Sequence, residues 1–453
     1  MLAQFWFQEK KMTEKEMQEI QEIASLDFSI KRVGKATLES EFKEVTFIEE
    51  GEGISYFSDV KYLDHLAKQG IPFPRFVAAG PRNKIFHVPA WTRAAIVTCG
   101  GLCPGINDVI KALVNTLTYG YGVDNILGIP YGYRGLIPTY GLKPIKLDPD
   151  VVDTIHEKGG SILGTSRGQQ DVQEMLHSLE RMNINILFTI GGDGTQTGAK
   201  ALALAAAEKG LPISIVGIPK TIDNDINFMD RTFGFETAVN AAGPVIGCAH
   251  DEAKGAYNGV GLVKVMGRDS GFIAACATLA NSVVNCCLIP EVPFELEGAR
   301  GLLPGLETRL RKKQHAVVVV AEGAGQEFFA SQEKKKDASG NTLHSDIGIY
   351  LRDEIKKYMD KKGVECVMKY FDPSYMIRSV SANGSDAIFC LHLAQNAVHA
   401  AMAGMSNLVV GYWHGNFTYV PIELAVKSRR KIDPHSQLWQ SVMAVTRQKK
   451  YWL

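Results

Sequence analysis

Residues Thr189–Asp225 read TIGGDGTQTGAKALALAAAEKGLPISIVGIPKTIDND, and the fold follows from this stretch. Asn185–Ile190 (NILFTI) is a short β-rich run that stops at Gly191-Gly192-Asp193-Gly194-Thr195. Thr197–Glu208 is rich in alanine and leucine, strong helix formers. Ile213–Ile218 (ISIVGI) is a second strand, and it stops at Pro219-Lys220-Thr221-Ile222-Asp223-Asn224-Asp225. Strand, loop, helix, strand, loop is a βαβ unit. Parallel sheets built from such units bind ligands beyond the carboxyl ends of their strands.

Both loops carry residue types suited to phosphate chemistry. Gly191, Gly192 and Gly194 let backbone N–H groups approach a polyphosphate, and the helix that follows presents its positive end. Asp193 is a hard oxygen donor of the kind Mg²⁺ on nucleotide phosphates uses. The second loop supplies Asp223, Asp225, the Thr221 hydroxyl and the Lys220 ammonium. A carboxylate facing a bound metal–phosphate can take the proton of an attacking alcohol. A lone GGDG is commonly just a turn and a lone DND a cap or Asx turn. Two such loops at consecutive strand ends exceed what turn chemistry requires.

GGDGT followed by PKTIDND resembles the 6-phosphofructokinases, and the resemblance runs from about Ala94 to about Pro421. GGLCPGIN (100–107), GGSILGTSRG (159–168), MGRDSGFIA (266–274), AEGAGQ (321–326) and DPSYMIR (372–378) match the family in order. The likeness is to the ATP-dependent subgroup with an N-terminal extension, typical of plants and trypanosomatids. NAD kinases and lipid kinases share the GGDG loop but are not expected to carry PKTIDND or MGR. The resemblance implies an α/β fold of two doubly wound, Rossmann-like lobes with the active site in the cleft between them. It divides the chain into an N-terminal extension (1–92), an ATP-binding lobe (93–235 and 379–425), a fructose-6-phosphate lobe (236–378) and a C-terminal tail (426–453).

The same resemblance assigns roles. Gly101, Arg167, Gly168, Gly192, Asp193, Gly194 and Thr195 are expected to hold ATP, with Asp193 on Mg²⁺ and Tyr133 near the adenine side. Asp223 is expected as the base that deprotonates the C1 hydroxyl of fructose 6-phosphate, with Thr221 and Arg167 steadying the moving phosphoryl group. Thr221, Ile222, Met266, Gly267, Arg268, Glu322, Tyr375, Met376, Ile377 and Arg378 are expected around the sugar phosphate. Without the family, Arg167 reads equally well as a solvent arginine in a turn. Asp269 is expected to cap the following helix, and Glu291, in a PEVPF segment, to be structural. The products would be ADP and fructose 1,6-bisphosphate, made by a glycolytic, allosteric homo-oligomer (dimer or tetramer).

The pattern departs from relatives at three positions. Bacterial members place an inter-subunit arginine seven residues before the MGR methionine, where this chain has Gly259. Sugar-phosphate recognition is therefore expected to be partly rebuilt, with Lys264 or Lys369 as candidates. Lys220 stands where bacterial ATP enzymes commonly have glycine and resembles pyrophosphate-using relatives. Gly194 points the other way, because those relatives usually carry aspartate there, which would crowd and repel the nucleotide's α-phosphate. The rival readings are a pyrophosphate-dependent enzyme and a catalytically silent regulatory subunit. Intact Asp193, Thr221, Asp223 and Arg268 speak against the latter.

Composition agrees with a globular enzyme. The chain has 453 residues, enough for two or three compact lobes, and 49 basic against 49 acidic side chains. No net charge advertises nucleic acid or a membrane surface. The cysteines at 99, 103, 248, 276, 286, 287, 366 and 390 form no CxxC pair and lie in apolar runs or beside glycine, as expected of reduced cysteine in a cytoplasmic protein. Cys99 and Cys103 lack a second ligand pair for a metal. No apolar run approaches the length of a membrane helix, and Tyr451-Trp452-Leu453 is not a peroxisomal signal.

In the extension, Thr13 and Glu16 are spaced as a capping box for a helix over Glu14–Ile23, and Phe42–Phe57 alternates like an edge strand. Pro104 suits the first turn of a helix over Ile106–Leu117. Leu408–Gly411 reads as the last core strand, Ser331–Asn341 as a charged surface loop, and Val426–Pro434 (VKSRRKIDP) as a solvated basic run.

Overall fold

A computed structural model of the chain describes residues 12–42, 45–331 and 344–448. Most of the 331–341 loop and the final Tyr451–Leu453 lie outside the described residues.

A nine-stranded sheet runs, edge to edge, Gly53–Ser55, Arg75–Ala78, Asn416–Pro421, Leu408–Trp413, Ser214–Pro219, Ile186–Gly191, Arg93–Thr98, Asn125–Ile129, Ile145–Leu147. Its central five strands are parallel. From Arg93–Thr98 the chain goes to the strand on one side, then returns to Ile186–Gly191 on the other. This reversal is the topological switch point where open α/β sheets bind ligands. A four-stranded parallel sheet orders Cys286–Leu288, His315–Ala321, Gly259–Val265, Val367–Phe371.

The strands are apolar without alternation because both faces are covered. In His315–Ala321, Val317, Val319 and Ala321 pack into the main core, while Val318 and Val320 face the separate cluster around Leu306 and Ile355. Each fully buried valine removes enough apolar surface to contribute about 1.5–3 kcal/mol.

The capping box at Thr13 and Glu16 forms and starts the Glu14–Ala24 helix. The expected edge strand within Phe42–Phe57 shrinks to Gly53–Ser55, and residues 43 and 44 are outside the described set. With Arg75–Ala78, this strand extends the larger sheet antiparallel beyond Asn416–Pro421. Phe28, Tyr56 and Phe76 from this part meet Phe228 and Trp413 in one aromatic cluster.

Three local expectations need correction. Leu408–Trp413 is not the last core strand, because His414-Gly415, both at positive φ, turn the chain back into Asn416–Pro421. Pro104 precedes the helix rather than entering it: Gly105, at φ 97°, is the N-cap of Ile106–Asn115. The Val426–Pro434 run is not spread over solvent. It docks against the second acidic loop, and the helix that follows, Gln437–Thr446, buries Trp439 and Val442 in the main core.

Candidate active site

Register brings the loops together. Pro219 pairs with Gly191, and Thr98 with Ile190. The Cys99–Gly101, Gly192–Thr195 and Lys220–Asp225 loops therefore leave three adjacent strands at one sheet end. In the smaller sheet Val265 pairs with Ala321 and Val263 with Phe371, which sets Met266–Arg268, Glu322 and Asp372–Arg378 side by side. The two sets meet at Asp223. The Arg268 N–H stands 3.5 Å from Asp223 Oδ2, and Ser270 Oγ donates to the Asp223 carbonyl at 3.1 Å.

On the first loop the Asp193–Glu208 helix begins four residues earlier than its composition suggests. Its N-cap is Gly192, with no side-chain capping bond; the Thr195 and Gln196 N–H groups bond the Gly192 carbonyl at 2.9 and 3.0 Å, which leaves the Asp193 and Gly194 N–H groups for a ligand. An added Cβ at Gly194 would meet nothing within 4 Å, whereas one at Gly101 would lie 3.3 Å from both Arg167 Nη2 and Arg378 Nη1. The guanidinium groups of Arg167 and Arg378 thus converge over Gly101. Lys220 Nζ donates to the Gly101 carbonyl at 2.7 Å. Burial, with Arg167 and Arg378 nearby, holds the Lys220 ammonium below its ordinary pKa. Three cations around one glycine form an anion cradle. Gly168, at φ 100°, closes the arginine loop.

The second loop is internally braced. Thr221 Oγ1 donates to Asp225 Oδ1 at 2.9 Å and accepts the Asp223 N–H at 3.1 Å. Asn224, at φ 55°, accepts the Thr232 N–H at 2.9 Å. Asp223 Oδ1 is buried with no hydrogen-bond partner among the described residues. Burial, then the charges of Asp225 and Glu322, push the Asp223 carboxyl well above the ordinary range, against the Arg268 N–H and Arg429. Burial also raises Glu322, opposed by Lys264, Arg268 and Arg378. Asp193 is raised by burial and by Asp225 and Asp269, with Arg429 opposing.

The remaining expected residues divide. Gly267 needs its φ of 131°, and a Cβ there would meet the Ser270 carbonyl at 2.5 Å. Met266 packs on the core edge, and Ile222 and Ile377 are core side chains, so any ligand contact of the two isoleucines is through backbone. Tyr375 and Met376 are 75% and 68% exposed, and the Arg378 guanidinium sits 4.7 Å from the Tyr375 ring centre. Thr195 is buried, and its carbonyl accepts from Tyr133 Oη at 2.7 Å. Tyr133 is therefore a buried brace beneath the helix start, with its hydroxyl bonded to backbone.

Lys264 and Lys369 are both held in ion pairs. Lys264 Nζ lies 2.7 Å from Asp346 and 2.9 Å from Asp372, and Lys369 Nζ 3.1 Å from Glu252. At Gly259 a Cβ would lie 2.2 Å from the Ala253 carbonyl, so no arginine fits this backbone. Asp269 does not cap the Phe272–Ala280 helix, whose N-cap Gly271 has no side-chain bond. Glu291 Oε1 accepts the Gly271 N–H instead, at 3.0 Å. Asp269 pairs with Arg429, whose Nη1 is 2.5 Å from it and 3.3 Å from Asp225. Arg429 was hidden in a charge run, and its signal was the flanking Val426 and Ile432, apolar residues that a solvated run does not need.

The phosphofructokinase family model matches residues 93–401. This chain belongs to the phosphofructokinase family. It is 52% identical over 376 residues to the ATP-dependent 6-phosphofructokinase of Borreliella burgdorferi, covering 82% of this chain and 84% of that one. It is 49% identical over 370 residues to the chloroplastic ATP-dependent 6-phosphofructokinase 5 of Arabidopsis thaliana, covering 82% and 68%. Among solved structures, the pyrophosphate-dependent phosphofructokinase of Marinobacter aquaeolei superposes with a TM-score of 0.63 at 20% identity, over 79% of this chain and 91% of that one. At that identity the likeness speaks for the phosphofructokinase fold alone. No helix among the described residues is long and apolar enough to cross a membrane.

Proposed function

We propose that the chain transfers the γ-phosphoryl group of Mg-ATP to the C1 hydroxyl of D-fructose 6-phosphate, giving ADP and fructose 1,6-bisphosphate. The observation that carries this reading is Asp223: a buried carboxylate oxygen without a hydrogen-bond partner among the described residues, at the meeting point of two loop sets, beside an anion cradle. Burial and the neighbouring carboxylates raise the Asp223 carboxyl, which makes it a stronger proton acceptor than an exposed aspartate. Residues 93–235 and 379–425 form the ATP lobe in this reading, and 236–378 the sugar-phosphate lobe.

The Asp193 and Gly194 N–H groups, with Gly101, Gly168, Gly192 and Thr195, would line the donor. Arg167 and Thr221 would steady the moving phosphoryl group. Met266, Gly267, Arg268, Glu322 and the 375–378 segment would hold the acceptor, and Lys220 and Gly194 would set donor choice. Among the described residues no group of three or more metal-ligating side chains gathers into a cage. This fits Mg²⁺, which is commonly held by one or two carboxylates plus substrate phosphates. Asp193 would supply the protein's share, and the metal would neutralise charge on the transferred group. Catalysis is then mainly positioning and charge neutralisation. The enzyme is read as a cytoplasmic, allosteric homo-oligomer, a dimer or tetramer.

Initial rates with ATP and with pyrophosphate on one purified sample test this reading. Turnover with ATP alone supports it. Turnover with pyrophosphate alone would make Lys220 the decisive donor residue, and no turnover with either would leave a sugar-phosphate-binding regulatory subunit.

A further inference from the structure

The backbone of the C-terminal segment lies directly on the second acidic loop. Arg429 forms an antiparallel bridge with Ile226, and the Arg430 N–H donates to the Asp225 carbonyl at 2.9 Å. From this track Arg429 sends its guanidinium among carboxylates from both sheets. Nη1 donates to Asp269 Oδ2 at 2.5 Å and to Asp225 Oδ2 at 3.3 Å, and Nη2 is 3.8 Å from Asp193 Oδ2. Asp193 and Asp225 follow strands of the larger sheet, whereas Asp269 follows a strand of the smaller one. The segment is anchored on the far side too, where the Ile432 N–H donates at 2.9 Å to Glu291 Oε1, the oxygen that also takes the Gly271 N–H. With the backbone N–H groups of Arg430 and Ile432 both bonded and Arg429 bridged to Ile226, the guanidinium has little freedom to choose another partner.

A chain of contacts leads from this cation to the reacting end of the loop. Asp225 offers Oδ2 to Arg429 and Oδ1 to the Thr221 hydroxyl. With its proton committed to Asp225, Thr221 Oγ1 turns a lone pair to the Asp223 N–H. Each group's orientation is fixed by the one before it. We propose that Arg429 is a positioning residue of the phosphoryl-transfer reaction, acting through Asp225 and Thr221 to hold Asp223 in its working orientation across the cleft. The proposal rests on the reading of Asp223 as the base. Arg429 itself touches neither substrate in this scheme. Displacing a reacting group by about 1 Å can cost on the order of 10²-fold in rate, so a residue three contacts away can matter.

The test uses the full chain with Arg429→Met and Arg429→Lys, measuring kcat, both KM values, Tm, and the effect of added guanidinium chloride at roughly tens of millimolar. Arg429→Met should lose on the order of 10²-fold in kcat, with the fructose 6-phosphate KM within about threefold. Added guanidinium should restore about tenfold or more of that loss without accelerating the wild type. Arg429→Lys should fall between, because an ammonium keeps the charge but not the fork that spans two carboxylates. A kcat for Arg429→Met within about threefold of wild type would overturn the proposal. So would a loss that tracks a lowered Tm and does not respond to guanidinium, which would mark Arg429 as a structural clamp. An undiminished kcat with less Mg²⁺ needed for half-saturation would make Arg429 a stand-in for the metal and would likewise overturn it. A wild type without phosphotransferase turnover would sink the kinase reading itself. A working wild type beside an unimpaired Arg429→Met sinks the positioning role alone.

Discussion

The main-chain N–H of Arg268 stands 3.5 Å from Oδ2 of Asp223, so a carboxylate carried by the larger sheet is met by backbone carried by the smaller one. Oδ1 of the same carboxylate has no protein partner among the described residues. A buried acceptor left unpaired costs roughly 1–3 kcal/mol, a cost that a catalytic base can repay in function.

Asp223→Asn keeps the shape and removes the proton acceptor. Turnover should fall by about 10²–10⁴, with fructose 6-phosphate affinity within a few-fold. Steady-state rates with ATP within about tenfold of wild type would mean that another group is the base. The folded state holds the Asp223 proton more tightly than the unfolded chain does. Stability therefore falls as pH rises from the unfolded pKa through the raised folded one. At neutral pH the amide should then raise Tm. A lowered Tm would contradict the burial of an ionisable group at this position.

The acid limb of kcat should report Asp223. Burial, Asp225 and Glu322 all raise this carboxyl, so activity should fail on acidification above the ordinary carboxylate range. Glu322→Gln removes one of those charges and should move the limb to lower pH. Titration of the substrate phosphates is common to both proteins and cancels in the comparison. A limb that stays in place, or moves up, would show that kcat is governed by a different group.

Gly194 borders open space, since an added Cβ would meet nothing within 4 Å. An aspartate there, early in the Asp193–Glu208 helix, is also favoured by the helix dipole, so Gly194→Asp should fold. It should nevertheless raise the ATP KM by about tenfold or more, with the fructose 6-phosphate KM little changed. Unaltered ATP kinetics would remove Gly194 from the donor site.

The two βαβ loops were legible because their information is local: apolar runs buried on both faces, then glycine and acid at each strand end. The Asn416–Pro421 strand was missed although His414-Gly415 is a turn signal followed by alternating aromatic and β-branched residues. The role of Arg429 could not be read from neighbours in sequence, since Asp225, 204 residues away, and Asp269, 160 away, define it. Asp269 was misread because a residue beside a helix start has several partners in reach, and only packing chooses among them.

The last prediction concerns Arg378. Gly259 leaves no room for the arginine that bacterial relatives use, and Lys264 and Lys369 are tied into ion pairs. Acceptor phosphate recognition should therefore fall more heavily on Arg378, whose Nε is buried without a partner among the described residues. Its guanidinium lies against the Tyr375 ring at 4.7 Å, which orients the fork. Arg378→Lys loses the planar two-donor geometry that suits a phosphate. The fructose 6-phosphate KM should rise by at least about tenfold, roughly 1.4 kcal/mol, with the ATP KM little changed. Tyr375→Phe keeps the ring and loses one hydroxyl, so its effect should be smaller and of the same kind. Because Arg378 Nη1 also approaches Gly101 beside Arg167, an Arg378→Lys enzyme in which the ATP KM rises instead would move this arginine to the donor cradle. Wild-type KM values for both substrates would make the segment structural and leave Arg268 as the main candidate for the acceptor phosphate.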